Sequence, residues 1–306
     1  MRTIFIATGD IALPAFRHLL ATGPQPLALV TQPDKPTGRH QKMTPPAIKL
    51  EAIAAGIPVF QPEKIGDVAE QLAAFEPDVL VVMAYGQILR NDVISLPKLA
   101  IINLHASLLP KYRGAACIQA AIDAGDAETG ITSMHVIREL DAGDVILTRS
   151  IPIAADETGG SLHDRLADLA TQVLDDTLKG LATGSVERVP QDVAASSHVS
   201  KLNREDGRID WSQTAIALER RIRAYDPWPG TYAIATEDGR AKRVKIFPPT
   251  TVVDHPLAAG EILDRGDELI VGCGQGALCI EYVQPEGGVK MLAADYLRGR
   301  NPTSLI

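Results

Sequence analysis

The chain has 306 residues, 45% of them hydrophobic, a mean hydropathy near zero and a formal net charge of −8. That length and apolar fraction suffice for two domains with separate cores, and the acidic sum argues against binding nucleic acid through overall charge. No apolar run reaches the 18 residues a membrane span needs, and Met1-Arg2-Thr3-Ile4-Phe5-Ile6 enters a strand pattern without a small-residue cleavage site, so a cytoplasmic protein is expected.

Taken in chain order, apolar runs and amphipathic stretches alternate: a strand at 3–8, a helix at 11–21, a strand at 27–31, a helix near 47–55, a short strand at 59–60, a helix near 68–75 and a strand at 79–83. This rhythm predicts a Rossmann-like α/β domain, a parallel sheet with helices on both faces. Its first turn holds one glycine, Gly9, so the dinucleotide fingerprint is absent and a nicotinamide cofactor is unsupported. The loop after the second strand gathers Lys35, Arg39, His40, Lys42 and Lys49 around Asp34, and its length and prolines suggest mobility.

The next strand, Ile101-Ile102-Asn103-Leu104-His105, carries the first chemistry. Side chains two apart on a strand share a face, so Asn103 and His105 point the same way. They also sit at the carboxyl end, where ligands of open α/β sheets bind. Leu140-Asp141-Ala142-Gly143 follows in a loop. An amide, an imidazole and a carboxylate can polarise a carbonyl, stabilise its developing charge and accept a proton, which is the chemistry of acyl transfer.

Farther on, a helix near 115–124, strands at 131–137 and 145–153 and a helix around 161–181 complete a domain placed at 1–188. Residues 189–203 are small, polar and unpatterned, as a linker would be. A second domain at 204–306 has a helix near 214–225 and strands around 231–236, 244–248, 268–272 and 278–283, the signature of a small barrel. Gly272-x-Gly274-x-Gly276 joins two of these strands and precedes no helix, which makes it a hairpin feature. Three cysteines, Cys117, Cys273 and Cys279, give neither a disulfide framework nor a zinc site, and no metal is expected. Charge is uneven: residues 1–200 sum to −7 and residues 201–306 to −1, so the second half repels nucleic acid less.

Asn103-x-His105-x-Ser107-Leu108-Leu109-Pro110 and the later Leu140-Asp141-x-Gly143 resemble the motifs of the folate-dependent formyltransferases. Supporting segments run along the chain: Gln32 to Arg39, Val59 to Pro62, Ala84 to Ile88, Arg113 to Ala116, Gly125 to Gly130, Ile209 to Trp211 and Arg223 to Pro229. Two places depart from the pattern: Ala7-Thr8-Gly9-Asp10-Ile11-Ala12 replaces Gly-Thr-Pro-Glu/Asp-Phe-Ala, and Cys117 stands where a proline is common.

The resemblance implies that 10-formyltetrahydrofolate is the formyl donor and that the acceptor is the α-amino group of methionine on initiator tRNA. It makes Asn103, His105 and Asp141 catalytic and assigns folate contacts to Tyr85, Gly86, Gln87, Ile88, Ser107, Leu108, Leu109 and Pro110. It makes Arg39 and Lys42 the tRNA contacts, identifies the C-terminal barrel as an OB-like tRNA-binding domain and implies a monomer. The same trio would serve formylation of another amine or hydrolysis of the formyl donor, and a folate- or RNA-binding protein without catalysis would be expected to have altered it.

Overall fold

In the computed structural model, which describes residues 1–38, 41–237, 239–263, 267–300 and 302–306, the strand Thr3–Ala7 (β1) is buried along its whole length. A strand covered on both faces needs a continuous apolar run, and Val79–Met83 (β6) meets the same requirement. The chain divides into two compact units. The first comprises Met1–Gly114, Thr129–Ile151 and His163–His198; the second comprises Ala115–Glu128, Pro152–Leu162 and Val199–Ile306.

Between β1 and β6 lie Leu13–Thr22 (α1), Ala28–Val30 (β2), Lys35–Thr37 (β3), Lys42–Thr44 (β4), Ala47–Ala54 (α2), Val59–Phe60 (β5) and Ala69–Ala73 (α3). Pro14 lies in the first turn of α1, where its missing N–H is no loss. The basic loop expected after the second strand is built as the antiparallel hairpin β3–β4, with Thr37 opposite Lys42. After β6 come Asn91–Ile94 (α4), Ala100–His105 (β7), Arg113–Gly114 (β8), Cys117–Ala124 (α5), Glu128–His135 (β9), Val145–Pro152 (β10), Gly159–Thr183 (α6) and His198–Val199 (β11).

The main sheet has seven strands in the order β10-β9-β7-β6-β1-β2-β5. Its β7-β6-β1-β2-β5 portion is parallel, as the alternation predicted, while β9 joins β7 antiparallel with His105 opposite Thr132. Ile4, Ile6, Val30, Leu72, Leu80, Val82 and Ile101 form one face of its core. Burying each such side chain stabilises the fold by about 1.5–3 kcal/mol before chain entropy is counted.

The second unit adds Ala215–Ala224 (α7), Thr231–Glu237 (β12), Arg240–Val253 (β13), Leu269–Gly272 (β14), Ala277–Pro285 (β15), Met291–Leu292 (β16), Ala293–Gly299 (α8) and Pro302–Leu305 (β17). The Thr214 hydroxyl caps α7 by accepting from the Ala217 N–H at 3.2 Å. Its strands run β14-β15-β13-β12-β17 and pair antiparallel. Residues 260–262 bridge the two ends, Ile262 pairing with Val271 and Glu261 with Ser304, so the sheet is a nearly closed barrel of OB-like form.

Strand β13 extends past the expected end at residue 248. Pro248-Pro249 cannot donate to the ladder, and the register shifts between Phe247 and Thr250 before pairing with β15 resumes. Prolines that read as a strand end in sequence are a bulge inside a longer one. Trp211, Leu218, Ile222, Val244, Ile246, Leu278, Ile280 and Tyr296 fill the barrel core.

Candidate active site

Strand β7 delivers Asn103 and His105 to its carboxyl end on one face, and the loop between β9 and β10 brings Asp141 to them. The Asn103 Nδ2 donates to Asp141 Oδ1 at 3.3 Å, and His105 Nδ1 lies 3.6 Å from Asp141 Oδ2. The side chains of His105 and Asp141 are only 7% and 10% exposed, so their electrostatic interaction is poorly screened by water. Asp141 Oδ2 also accepts from the Gly114 N–H at 2.8 Å. The other ring nitrogen of His105, Nε2, lies 2.9 Å from the carbonyl oxygen of Tyr112. A carbonyl only accepts, so Nε2 carries hydrogen.

The backbone around this cluster is strained. Asp141 has φ 50° and Tyr112 φ 58°, while Ala84, at the end of β6, has φ 47°. Left-handed backbone at non-glycine residues costs about 1–3 kcal/mol each and persists only where surrounding structure holds it. Aspartate tolerates it better than most residues. Gly143 has a different requirement: a Cβ there would lie 1.8 Å from the His135 carbonyl oxygen, so only glycine lets the loop fold back onto β9. At Gly9, in the first turn that departs from the family pattern, a Cβ would lie 3.0 Å from the Ala84 Cβ, a tight contact to which the neighbour would have to yield.

The linker expected at 189–203 carries contacts that its sequence gave no sign of. Gln191 Nε2 donates to the carbonyl oxygens of Asp141 and Gly143 at 2.9 and 2.8 Å. Its Oε1 accepts from the buried Arg113 guanidinium at 3.1 and 2.7 Å. Ser197 Oγ accepts from the Tyr112 N–H at 2.9 Å, and the Ser197 carbonyl from the Arg113 N–H at 2.8 Å. Arg113 lay in a recognisable motif; Gln191 and Ser197 had no periodicity or motif to mark them.

Residues 3–178 match the family model described as formyl transferase, and residues 201–301 match the formyl transferase C-terminal domain. The chain belongs to the formyl transferase family. It is 46% identical over 304 residues to a methionyl-tRNA formyltransferase of Akkermansia muciniphila, covering 98% of this chain and 96% of the relative. A methionyl-tRNA formyltransferase of Pseudomonas putida is 44% identical over 98% of this chain and 96% of its own length. In fold it is similar to the Helicobacter canadensis N-formyltransferase solved with folinic acid and dTDP-3-aminofucose: TM-score 0.67, 17% identity, 95% of this chain and 100% of that one.

The remaining expected contacts of this formyl transferase fall in distinct settings. Ser107 is fully buried and donates to the Lys111 carbonyl at 2.7 Å, closing the turn that carries half-buried Leu108, Leu109 and Pro110. Tyr85 is buried in the core face described above, and burial pushes its phenol up to about 12. The Gln87 side chain accepts from the Ile65 N–H at 2.9 Å and donates to the Glu63 carbonyl at 3.1 Å, so it anchors a neighbouring loop. Gly86 has φ 86°, and Ile88 is 76% exposed.

Lys35 and Lys42 are exposed on the β3–β4 hairpin, whereas Arg39 and His40 lie outside the described residues. Lys49 is paired with Asp34 at 2.8 Å, and hydrogen bonds from Gln61 and Lys49 hold that carboxyl below its ordinary range. The arginines of α7 serve the second unit: Arg221 pairs with Asp123 at 3.0 Å, and Arg223 with Glu219 at 2.5 Å. Among the basic residues at the start of β13, Lys242 pairs with buried Glu237 at 3.0 Å and Arg243 stacks on the Tyr232 ring at 3.7 Å.

Among the described residues no cluster of His, Cys, Asp or Glu has the makings of a metal site, and no helix is long and apolar enough to cross a membrane. Burial raises the thiols of Cys273, to about 11, and Cys279, and Cys117 is buried at the start of α5. A cavity of about 450 Å³ in the second unit, lined by Gln119, Asp123, Lys201, Asn203, Asp206 and Arg221 among others, contains none of the trio.

Proposed function

We propose that this formyl transferase moves the formyl group of 10-formyltetrahydrofolate onto the α-amino group of methionine esterified to initiator tRNA. The observation that carries the reading is the convergence of Asn103, His105 and Asp141 at the carboxyl end of β7, in a chain matched almost end to end by methionyl-tRNA formyltransferases. The folinic acid in the Helicobacter structure supports a folate donor for this fold.

In this reading Asn103 gives one amide hydrogen to Asp141 and the other to the formyl oxygen. The amine attacks the formyl carbon, and His105 as an imidazolium stabilises the tetrahedral oxyanion by its charge. Asp141 holds the ring and relays the amine's proton through water to the folate nitrogen, whose bond to the formyl carbon breaks so that tetrahydrofolate leaves. The acceptor needs no strong base, because an α-amino group has an ordinary pKa of roughly 7.7–8.0 and is partly neutral near pH 7. Leu108, Leu109 and Pro110 line the folate site, with Gly86 permitting close approach of the donor; Tyr85 and Gln87 shape the site from within. Lys42 and Arg39 contact the tRNA. Residues 1–188 then form the catalytic domain and 204–306 the RNA-facing one, working as a monomer in the cytoplasm.

The test is to mix the protein with 10-formyltetrahydrofolate and methionyl initiator tRNA and to follow formyl-methionyl-tRNA beside a no-tRNA control. Formate released without transfer would instead mark a hydrolase. Absence of both reactions would leave another amine or a binding role. Light scattering of the same sample reads the oligomeric state.

A further inference from the structure

A glutamine amide has two hydrogens to give and an oxygen with two lone pairs, and Gln191 uses all four. Its Nε2 donates to the Asp141 and Gly143 carbonyls, at 2.9 and 2.8 Å, and its Oε1 accepts twice from Arg113, at 3.1 and 2.7 Å. The orientation of the amide is thereby determined, because the guanidinium only donates and the two carbonyls only accept.

Asp141 is therefore fixed from two sides. Its carboxylate is held by Asn103 and the Gly114 N–H, and its backbone carbonyl, beside a left-handed φ of 50°, by Gln191. The second hydrogen of the same amide holds Gly143, whose close approach to His135 sets the loop's path. The two carbonyl acceptors on this amide thus belong to the loop that presents Asp141 to His105, with Met134 Sδ of β9 a longer third contact at 3.8 Å, and its donor, Arg113, directly precedes Gly114.

We propose that Gln191 is a positioning residue: from the segment that follows residue 188, it holds the Asp141 loop so that the carboxylate faces His105. The inference deepens the formyl-transfer reading and rests on it for its kinetic consequence, while its structural part is read independently at His105. It assigns to Gln191 no contact with either substrate, so the effect belongs in turnover and not in binding.

Two variants separate this role from general support of the fold. Gln191→Met is neutral and similar in length, so a change it causes at His105 reports movement of charges already present. Gln191→Glu retains an oxygen for Arg113 but sets a carboxylate against two carbonyls. Kinetics for both substrates are compared with the parent, and the His105 ring is titrated by NMR, its signal assigned with His105→Gln.

Each variant is expected to lower kcat about fivefold or more with both KM values within about threefold, since small misplacements in a site cost up to about 10² in rate. In Gln191→Met the His105 midpoint falls, on the order of one unit, as the carboxylate draws away. A smaller kcat loss in either variant, or a His105 midpoint in Gln191→Met equal to the parent's, overturns the proposal. If Gln191→Met does not fold, the kcat and KM values of Gln191→Glu decide alone. If the parent itself transfers no formyl group to charged tRNA, the functional reading fails and the NMR comparison still decides the positioning role.

Discussion

The Nδ1 of His105 lies 3.6 Å from Oδ2 of Asp141, while Nε2 of the same ring meets the Tyr112 carbonyl at 2.9 Å. Two acceptors flank one imidazole, and only the doubly protonated ring offers a hydrogen to each. The arrangement is one that a cation satisfies. This is what a site needs if charge is to develop on a carbonyl oxygen beside it.

Asp141→Asn removes the carboxylate's charge, together with the bond Oδ1 accepts from Asn103. Asparagine tolerates the left-handed backbone as aspartate does and keeps an oxygen for the Gly114 N–H, so the loop persists. Turnover is expected to fall by about 10²–10³ while circular dichroism and the unfolding midpoint stay near the parent's. Near-parent turnover would leave the carboxylate without an electrostatic role.

Asn103→Ala removes the amide and leaves the strand. Asn103 is only half-buried and pairs with Met134 across β7–β9 through its backbone, so the sheet does not depend on its side chain. Loss of one oxyanion donor costs about 10²–10³ in turnover, and steady-state kinetics on charged tRNA will measure it. Retention of most of the activity would remove Asn103 from the chemistry.

Gly143→Ala tests the loop's path. The added Cβ would sit 1.8 Å from backbone, which cannot swing aside as a side chain can. The loop must shift, carrying Asp141 with it, at a cost of about 1–3 kcal/mol. Activity is expected to drop as strongly as in Asp141→Asn, with a lowered midpoint of thermal unfolding. An unchanged midpoint and full activity would show that the loop has room the structure denies.

How far the sequence foretold the site depended on locality. Asn103 and His105 were legible because strand periodicity puts residues two apart on one face, and the parallel sheet was legible from alternating elements. The antiparallel entry of β9 was not, since an apolar run has no direction. Gln191 looked like linker because side-chain bonds to distant backbone leave no periodic trace. Pro248-Pro249 looked like a strand end because local propensity cannot see a bulge repaired by the β15 partner. On α7 the Arg223–Glu219 pair is an i,i+4 spacing that sequence can show, whereas Arg221 meets Asp123 from far along the chain, and such pairing is invisible to a charge count.

Glu237 makes an acid-side prediction for the second unit. Burial alone would raise its pKa, but hydrogen bonds from Tyr296 at 2.7 Å, Lys242 at 3.0 Å and Arg300 at 3.1 Å outweigh burial and hold it below the ordinary value. A carboxyl lowered on folding contributes stability fully present above its unfolded value, roughly pH 4.3, and lost as pH falls through the folded value. Glu237→Gln is expected to lower the unfolding midpoint at pH 7 and to flatten its decline below about pH 4.3. Parallel acid limbs for the two proteins would remove Glu237 as the source.

Lys42→Ala addresses the acceptor. Lys42 is exposed on β4, opposite Thr37, and belongs to no site that holds the trio, so truncating it leaves the catalytic geometry intact. If its ammonium meets a phosphate of the tRNA, the variant raises KM for charged tRNA several-fold, leaves KM for the folate donor unchanged and reduces the slope of log affinity against log salt by about one. Salt dependence is the sharper reading, because a lost hydrogen bond to a base would weaken binding without changing the slope. Equal effects on both substrates, or an unaltered slope, would place the tRNA elsewhere on the surface.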